Sequence, residues 1–332
     1  MLTTMNALSQ SAEQETVPAW RNYARFCIES SALVVVLLLL VAVFGSLSER
    51  FWSTRTAISI ANQIPDLTVV AIGMTFVLIA GGIDLSVGSV IAFCSAVVGV
   101  LLIDQQWPIA VTVLAAVGVG AICGTINGSI SVGLRIPSFI VTLGMLEIAR
   151  GAAYQVTDSK TKYLGRSLEW IGMSGSWGFS PAFGFALLIV IVGQVVLSRT
   201  LLGRYWIAIG TNEAAAKYSG IDPRPYRFTA FVLLGCLCGV GSIMQCGRLS
   251  TADPNSAVGL ELSAIAAAVI GGTSLMGGRG SAIQTFLGVL VIAVLQTGLA
   301  SVGASEPMKR MITGSVIVLA VVADVLRYGG KR

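Results

Sequence analysis

Ten mostly apolar runs divide this sequence, at roughly 31–47, 60–80, 85–103, 108–133, 137–156, 179–198, 227–247, 259–276, 281–301 and 308–326, and each approaches the about 20 residues an α-helix needs to cross bilayer hydrocarbon. Inside lipid the backbone has no water to bond, so such runs must satisfy their own hydrogen bonds as helices. The expected fold class is therefore an all-α polytopic membrane protein with about ten transmembrane helices. Composition agrees: 55% of the 332 residues are hydrophobic and 11% charged, against roughly 25% charged in soluble domains. A soluble core could not bury that much apolar surface.

The same composition excludes several function classes. The net charge of +5 comes without a basic cluster alternating with aromatics, so the cations read as juxtamembrane; membrane lipid is the expected partner and nucleic acid is not. There is no histidine, which removes His-based catalysis and most zinc and haem ligation. No G-x-x-x-x-G-K-[ST], G-x-S-x-G or H-E-x-x-H occurs, so neither a P-loop nor a familiar hydrolase centre is present. No catalytic residue, metal ligand or cofactor is assigned. Cys27, Cys94, Cys123, Cys236, Cys238 and Cys246 lie in or beside apolar runs and read as small buried hydrophobes. Residues 1–29 are polar and mixed in charge, expected to form a cytoplasmic N-terminal segment. The run after them lacks an A-x-A-like cleavage site and reads as a retained first span.

Between the second and third runs lies Ile79-Ala80-Gly81-Gly82-Ile83-Asp84-Leu85-Ser86-Val87-Gly88-Ser89, with the only carboxylate of that region. Paired glycines let one helix stop and another restart, and Asp84 and Ser86 are both good N-cap types. Two readings follow. Asp84 either caps a tight turn at the membrane surface or belongs to a broken-helix element lining a solute path, because such a break survives in lipid only where protein or water covers it. The pattern G-G-x-x-L-x-x-G recurs from Gly271-Gly272 through Ser274 and Leu275 to Gly278, again between apolar runs. This internal pseudo-repeat places Gly81, Gly82, Asp84, Ser86, Gly88, Gly271, Gly272 and Ser274 among candidate path residues. Asn127 joins them from the fourth run, where Gly118, Gly120, Gly124 and Gly128 permit close helix approach. Asn127 reads either as interhelical glue or as a contact to solute.

Elsewhere, Pro65 and Asp66 are ordinary helix-start signals with structural roles. Glu147 and Arg150 are spaced to pair with each other. Residues 157–178 are expected to form a loop with an interfacial amphipathic piece. The longest charged connection, about 199–227, contains Asn212-Glu213-Ala214-Ala215-Ala216-Lys217-Tyr218-Ser219-Gly220. Asn212 can N-cap, Glu213 and Lys217 form an i, i+4 pair, and Gly220 can end the helix before Pro223 and Pro225. A short helix so strongly specified outside the membrane reads as a rigid surface for another protein, with a mere connector as the alternative. The basic residues of this connection and of the 328–332 tail set both termini cytoplasmic.

These segments together carry a resemblance. Ala71 through Ser89, Pro137-Ser-Phe-Ile-Val-Thr-Leu-Gly144, Gly210 through Ile221 and Val269 through Gly280 resemble the permease subunits of ribose-type, monosaccharide-class bacterial ABC importers, over about 30–327. The resemblance implies a type II-like ABC importer permease domain at 30–327 in the bacterial cytoplasmic membrane. It implies a cytoplasmic ATPase with two nucleotide-binding domains, a second permease copy or paralogue and a periplasmic sugar-binding protein. It also makes Asn212, Glu213, Ala214, Ala215, Lys217, Tyr218 and Gly220 the ATPase-coupling helix. The E-A-A-x-x-x-G spacing of other ABC permeases is departed from by one residue, with glycine at 220. A pentose or hexose is the implied solute; a nucleoside, signal furanose or branched-chain amino acid is the alternative. An ion-coupled secondary transporter is the reading outside this class, disfavoured because so few carboxylates lie within the runs.

Overall fold

The computed structural model describes residues 19–173, 175 and 178–328. Of the expected N-terminal segment and tail, residues 1–18 and 329–332 lie outside them. The order is α1 (Ala19–Leu47), a 3-10 turn, α2 (Thr54–Gln63), α3 (Pro65–Ile79), α4 (Val87–Gly99), extended by a wider turn to Asp104, α5 (Ile109–Gly133) and α6 (Ser138–Thr157). Then come β1 (Lys162–Tyr163), α7 (Glu169–Gly172), α8 (Pro181–Arg199), α9 (Leu201–Thr211), α10 (Glu213–Tyr218) and α11 (Pro223–Leu249). The chain ends with β2 (Thr251–Ala252), α12 (Leu260–Ile270), α13 (Ala282–Ser301) and α14 (Glu306–Tyr328).

Every apolar run falls on helix, but not every run is a full span. Six helices among the described residues are long and apolar enough to cross a membrane, and α2 with α3, bent by 48°, makes a seventh if taken as one span. The run at 60–80 bends because Pro65 opens α3 at its first position, where its missing N–H costs nothing. The run at 259–276 is an 11-residue helix followed by a turn, about 16 Å long and half the hydrocarbon thickness. The expected ten spans therefore reduce to six or seven by length and composition.

α3 is the centre of the molecule. All its residues except Leu67 are buried, as expected of a helix apolar on every side, and it packs against α8, α11, α12 and α13. The closest helix crossing is α5 on α11. A methyl group on Gly120 would meet the carbonyl of Gly235, and one on Gly124 the carbonyl of Phe231; small residues here let backbones approach without lipid-filled gaps. Gly118 has nothing within 4 Å and takes no part.

Two local expectations are corrected. Arg150 does not pair with Glu147; its Nη1 donates to the carbonyls of Pro254 and Ser256 at 2.6 and 2.9 Å, pinning the loop ahead of α12. The 157–178 stretch forms a two-residue strand paired antiparallel with β2, and its amphipathic piece is only the four-residue α7. Within the 199–227 connection, α9 fills the first half. Asp66 has the structural role expected, buried in an ion pair with Arg248 at 2.7 Å. Cys94, Cys123, Cys236, Cys238 and Cys246 are free thiols.

Candidate functional site: two helix breaks and the helix pair beneath them

The first break begins where α3 can no longer bond to itself. Gly81 takes φ +80°, its N–H bonds the Leu78 carbonyl at 2.9 Å, and the Gly82 N–H bonds Val77 at 2.9 Å. This pair of bonds closes the helix end, and the left-handed position favours glycine. The chain then runs without helix from Gly82 to Ser86, buried or half-buried throughout, so its polar groups need partners. Ser138 Oγ accepts from Ile83 N–H at 2.8 Å and Thr142 Oγ1 from Leu85 N–H at 3.1 Å. Asp84 Oδ1 accepts from the N–H and hydroxyl of Ser86 at 2.8 and 2.6 Å. Asn127 Nδ2 donates to Asp84 Oδ2 at 3.1 Å and to Ser86 Oγ at 3.0 Å. All three side chains are buried. Asn127 lies about 9 Å along α5 from its Gly133 end.

This geometry corrects the capping expectation. Ser86 is the N-cap residue of α4 but its side chain makes no capping bond, being held by Asp84 and Asn127. Asp84 folds back on Ser86 and ties this segment to α5. No cation faces it among the described residues; its partners are a backbone amide, a hydroxyl and a carboxamide. Gly88 packs against the 257–261 segment, where an added methyl would meet the Glu261 carboxylate and the Ala257 carbonyl.

The second break repeats the first in a different register. Gly272 has φ +80°, its N–H bonds Val269 at 2.8 Å, and Thr273 N–H bonds Ala268 at 2.9 Å. The structural equivalent of Gly81 is thus Gly272, and Ile79 matches Ile270. Aligning Gly81 with Gly271 is one residue off, because the left-handed position and not the glycine pair is what repeats. The neighbours are small for other reasons: a methyl on Gly82 would press on Phe231, and one on Gly271 on the Gln284 backbone. Ser274 closes its own turn, accepting from Met276 N–H at 3.2 Å, and is not brought to the Asp84 cluster. The two breaks nevertheless touch, since Gly278 N–H donates to the Ile79 carbonyl at 2.9 Å. Deeper in the bundle the hydroxyls of Thr75 and Thr285 meet at 2.7 Å.

Under this contact sits the pair α9–α10. Trp206 is fully buried, stacks on Phe76 at 5.2 Å and donates from Nε1 to the Tyr226 carbonyl at 2.6 Å. Gly210 lies where any side chain would collide with the Ile79 carbonyl and the Gly278 amide. Every local signal expected for α10 is present. Asn212 Oδ1 accepts from Ala215 N–H at 2.9 Å, Lys217 Nζ meets Glu213 Oε1 at 2.6 Å, and Gly220 ends the helix at φ +81°. Ala216 turns inward, whereas Ala214, Ala215 and Lys217 are exposed and Tyr218 is 93% exposed. Arg227 then joins the parts: Nη1 lies 2.7 Å from Glu213 Oε2, and Nε donates to the Ala80 carbonyl at 2.9 Å. The hydrogen bond from Lys217, with the charge of Arg227 behind it, holds the Glu213 carboxyl below the usual range against the cost of its partial burial. A cavity of about 400 Å³ opens between Gly81, Ser138, Glu213, Arg224 and Arg227.

Ser138, Thr142, Gly210 and Arg227 thus belong to the site without having been named among its candidate residues, although the first three lie in the segments that carry the resemblance. The i, i+4 spacing of Ser138 and Thr142 was the available signal. Arg227 gave none, because the carbonyl it bonds lies 147 residues away.

A family model described as "Branched-chain amino acid transport system / permease component" matches residues 56–321. The ribose import permease protein RbsC of Escherichia coli (strain K12) is 33% identical over 315 residues, 93% of this chain and 98% of its own. The fructose import permease protein FrcC of Rhizobium meliloti is 31% identical over 301 residues, 88% and 84% of the two chains. The autoinducer 2 import system permease protein LsrC of Enterobacter sp. (strain 638) is 34% identical over 297 residues, 89% and 86%. No solved structure matches the chain.

Proposed function

We propose, from the premise that this chain belongs to the branched-chain amino acid transport system / permease component family, that it is the transmembrane subunit of an ATP-driven importer carrying a monosaccharide. The protein is a multi-pass component of the bacterial inner membrane. Residues 30–327 are its permease domain, the end carrying 199–227 faces the cytoplasm, and α10 is the helix that seats on a separate ATPase with two nucleotide-binding domains. A second copy or paralogue completes the path, and a periplasmic sugar-binding protein delivers the solute.

One observation carries this reading. α10 presents a bare outer face of Ala214, Ala215 and Tyr218, while Glu213 on the same short helix is tied through Arg227 to the carbonyl that ends α3. A push on α10 therefore reaches the first break through rigid contacts, and through Gly210 it reaches the second. Asp84, Ser86 and Asn127 set the shape of the first break through the bonds they make to one another.

Ribose and fructose are the solutes in the names of two relatives, which favours a pentose or hexose; the autoinducer 2 relative makes a signal furanose the second reading. The test is uptake of labelled D-ribose and D-fructose into cells producing the permease with its ATPase and binding protein, alongside co-purification of the ATPase. Tyr218→Asp is expected to lose both the ATPase and uptake while inserting normally. ATPase retained in full by Tyr218→Asp contradicts the seating of α10.

A further inference from the structure

At the end of the bundle opposite α10 lies a second cavity, of about 510 Å³, within the about 300–1,000 Å³ of small-ligand sites. The starts of α3 and α14 and the ends of α11 and α13 wall it, and its floor is the loop entering α12. That floor is half-buried, with Val258 and Leu262 exposed and the chain becoming buried only from Ala264. The N-cap of α12 is Gly259, with no side-chain cap; Gly259 N–H donates to Glu261 Oε1 at 3.2 Å and Leu260 N–H to the Ala257 carbonyl at 3.2 Å.

The chemistry of the wall is specific. Four of its five charged residues are taken up in pairs, Asp66 with Arg248 at 2.7 Å and Glu306 with Lys309 at 2.7 Å, and the fifth, Arg310, is exposed. Around them stand the amides of Gln245 and Gln296 and the hydroxyls of Ser263, Thr297 and Thr313. Gln245 is 5% exposed, and its Oε1 has no hydrogen-bond partner. A buried acceptor without a donor is costly, and this one belongs to a residue lining the cavity. Donor-acceptor amides and hydroxyls around paired charges suit a neutral molecule carrying many hydroxyl groups.

We infer that this cavity is the outward-side seat of the transported solute, a neutral polyhydroxylated molecule of monosaccharide size, with Gln245 Oε1 accepting one of its hydroxyls. The inference rests on the transport reading above and names the solute contacts which that reading leaves open. Two measurements test it. Thr297→Cys and Ser263→Cys, treated in intact cells with a membrane-impermeant thiosulfonate carrying a sulfonate, should be labelled and should then lose uptake of labelled D-ribose or D-fructose. Gln245→Leu should insert normally and keep the ATPase activity stimulated by loaded binding protein, yet lower maximal uptake about fivefold, as expected for one lost hydrogen bond. Absence of labelling overturns the outward opening, and unchanged uptake in Gln245→Leu overturns the contact. Failure of the unmutated protein to take up either sugar contradicts the monosaccharide reading, while the labelling still decides whether the cavity is open.

Discussion

Arg227 meets Glu213 at 2.7 Å and, from its other face, donates to the carbonyl of Ala80 at 2.9 Å. One planar guanidinium thereby fastens α10 to the residue at which α3 stops. The ion pair itself contributes little, because exposed pairs are worth about 0–1 kcal/mol and both side chains are about one-third exposed. Its value is geometric. Arginine offers several N–H groups in a fixed plane, and lysine could reach only one of these two partners at a time.

The Asp84 cluster is expected to respond unequally to similar substitutions. Asp84→Ala removes the acceptor of the Ser86 amide and hydroxyl and one of the two bonds of Asn127 Nδ2, each hydrogen bond being worth about 0.5–1.5 kcal/mol. Asp84→Asn keeps an acceptor for Ser86, and Asn127 can rotate its free Oδ1 toward the new amide. Uptake and thermal stability should therefore fall strongly in Asp84→Ala and mildly in Asp84→Asn. Equal and severe loss of uptake in both, at normal protein levels, would show that the negative charge itself is needed.

The α5–α11 crossing gives a stability prediction. Gly124→Val drives a branched side chain into the Phe231 backbone and should cost about 1–3 kcal/mol or more, read as a lower melting temperature of the detergent-solubilised protein. Gly118→Ala, which meets nothing within 4 Å, should leave it unchanged.

These positions show where the sequence could be read. Local signals were legible: Asn212, Glu213, Lys217 and Gly220 specify α10 within nine residues, and Pro65 and Gly81 mark helix ends by backbone chemistry alone. Periodicity was silent on span length, because a half-length buried helix such as α12 is as apolar as a full span. It was silent also on α9, whose helix lies in a charged connection yet buries Trp206. Contacts between distant segments left no pattern to find. The Arg227–Ala80 bond, the Gly278–Ile79 bond and the Arg150 clamp on Pro254 and Ser256 each depend on the assembled bundle. The pseudo-repeat was seen but misaligned, since a glycine pair is more conspicuous than the single left-handed residue within it.

Acid should loosen α10. The folded Glu213 carboxyl titrates below its ordinary value, so its pairs add stability above the unfolded pKa of about 4.3, and that stability is lost as pH falls through the lower folded value. The protection factors of residues 213–221, corrected for intrinsic exchange rates, should be unchanged between pH 6 and 8 and fall below about pH 4. Glu213→Gln should remove that pH dependence. A transition near neutral pH would mean that another group controls the helix.

The most direct measurement is sugar taken up per ATP hydrolysed in proteoliposomes holding the permease, its ATPase and loaded binding protein outside. Arg227→Met leaves the outer face of α10 intact, so the ATPase should still assemble and hydrolyse ATP, but the break in α3 is no longer tied to it. Uptake per ATP is expected to collapse in Arg227→Met and to recover only partly in Arg227→Lys. A wild-type ratio in Arg227→Met would contradict transmission from α10 to the helix breaks through Arg227.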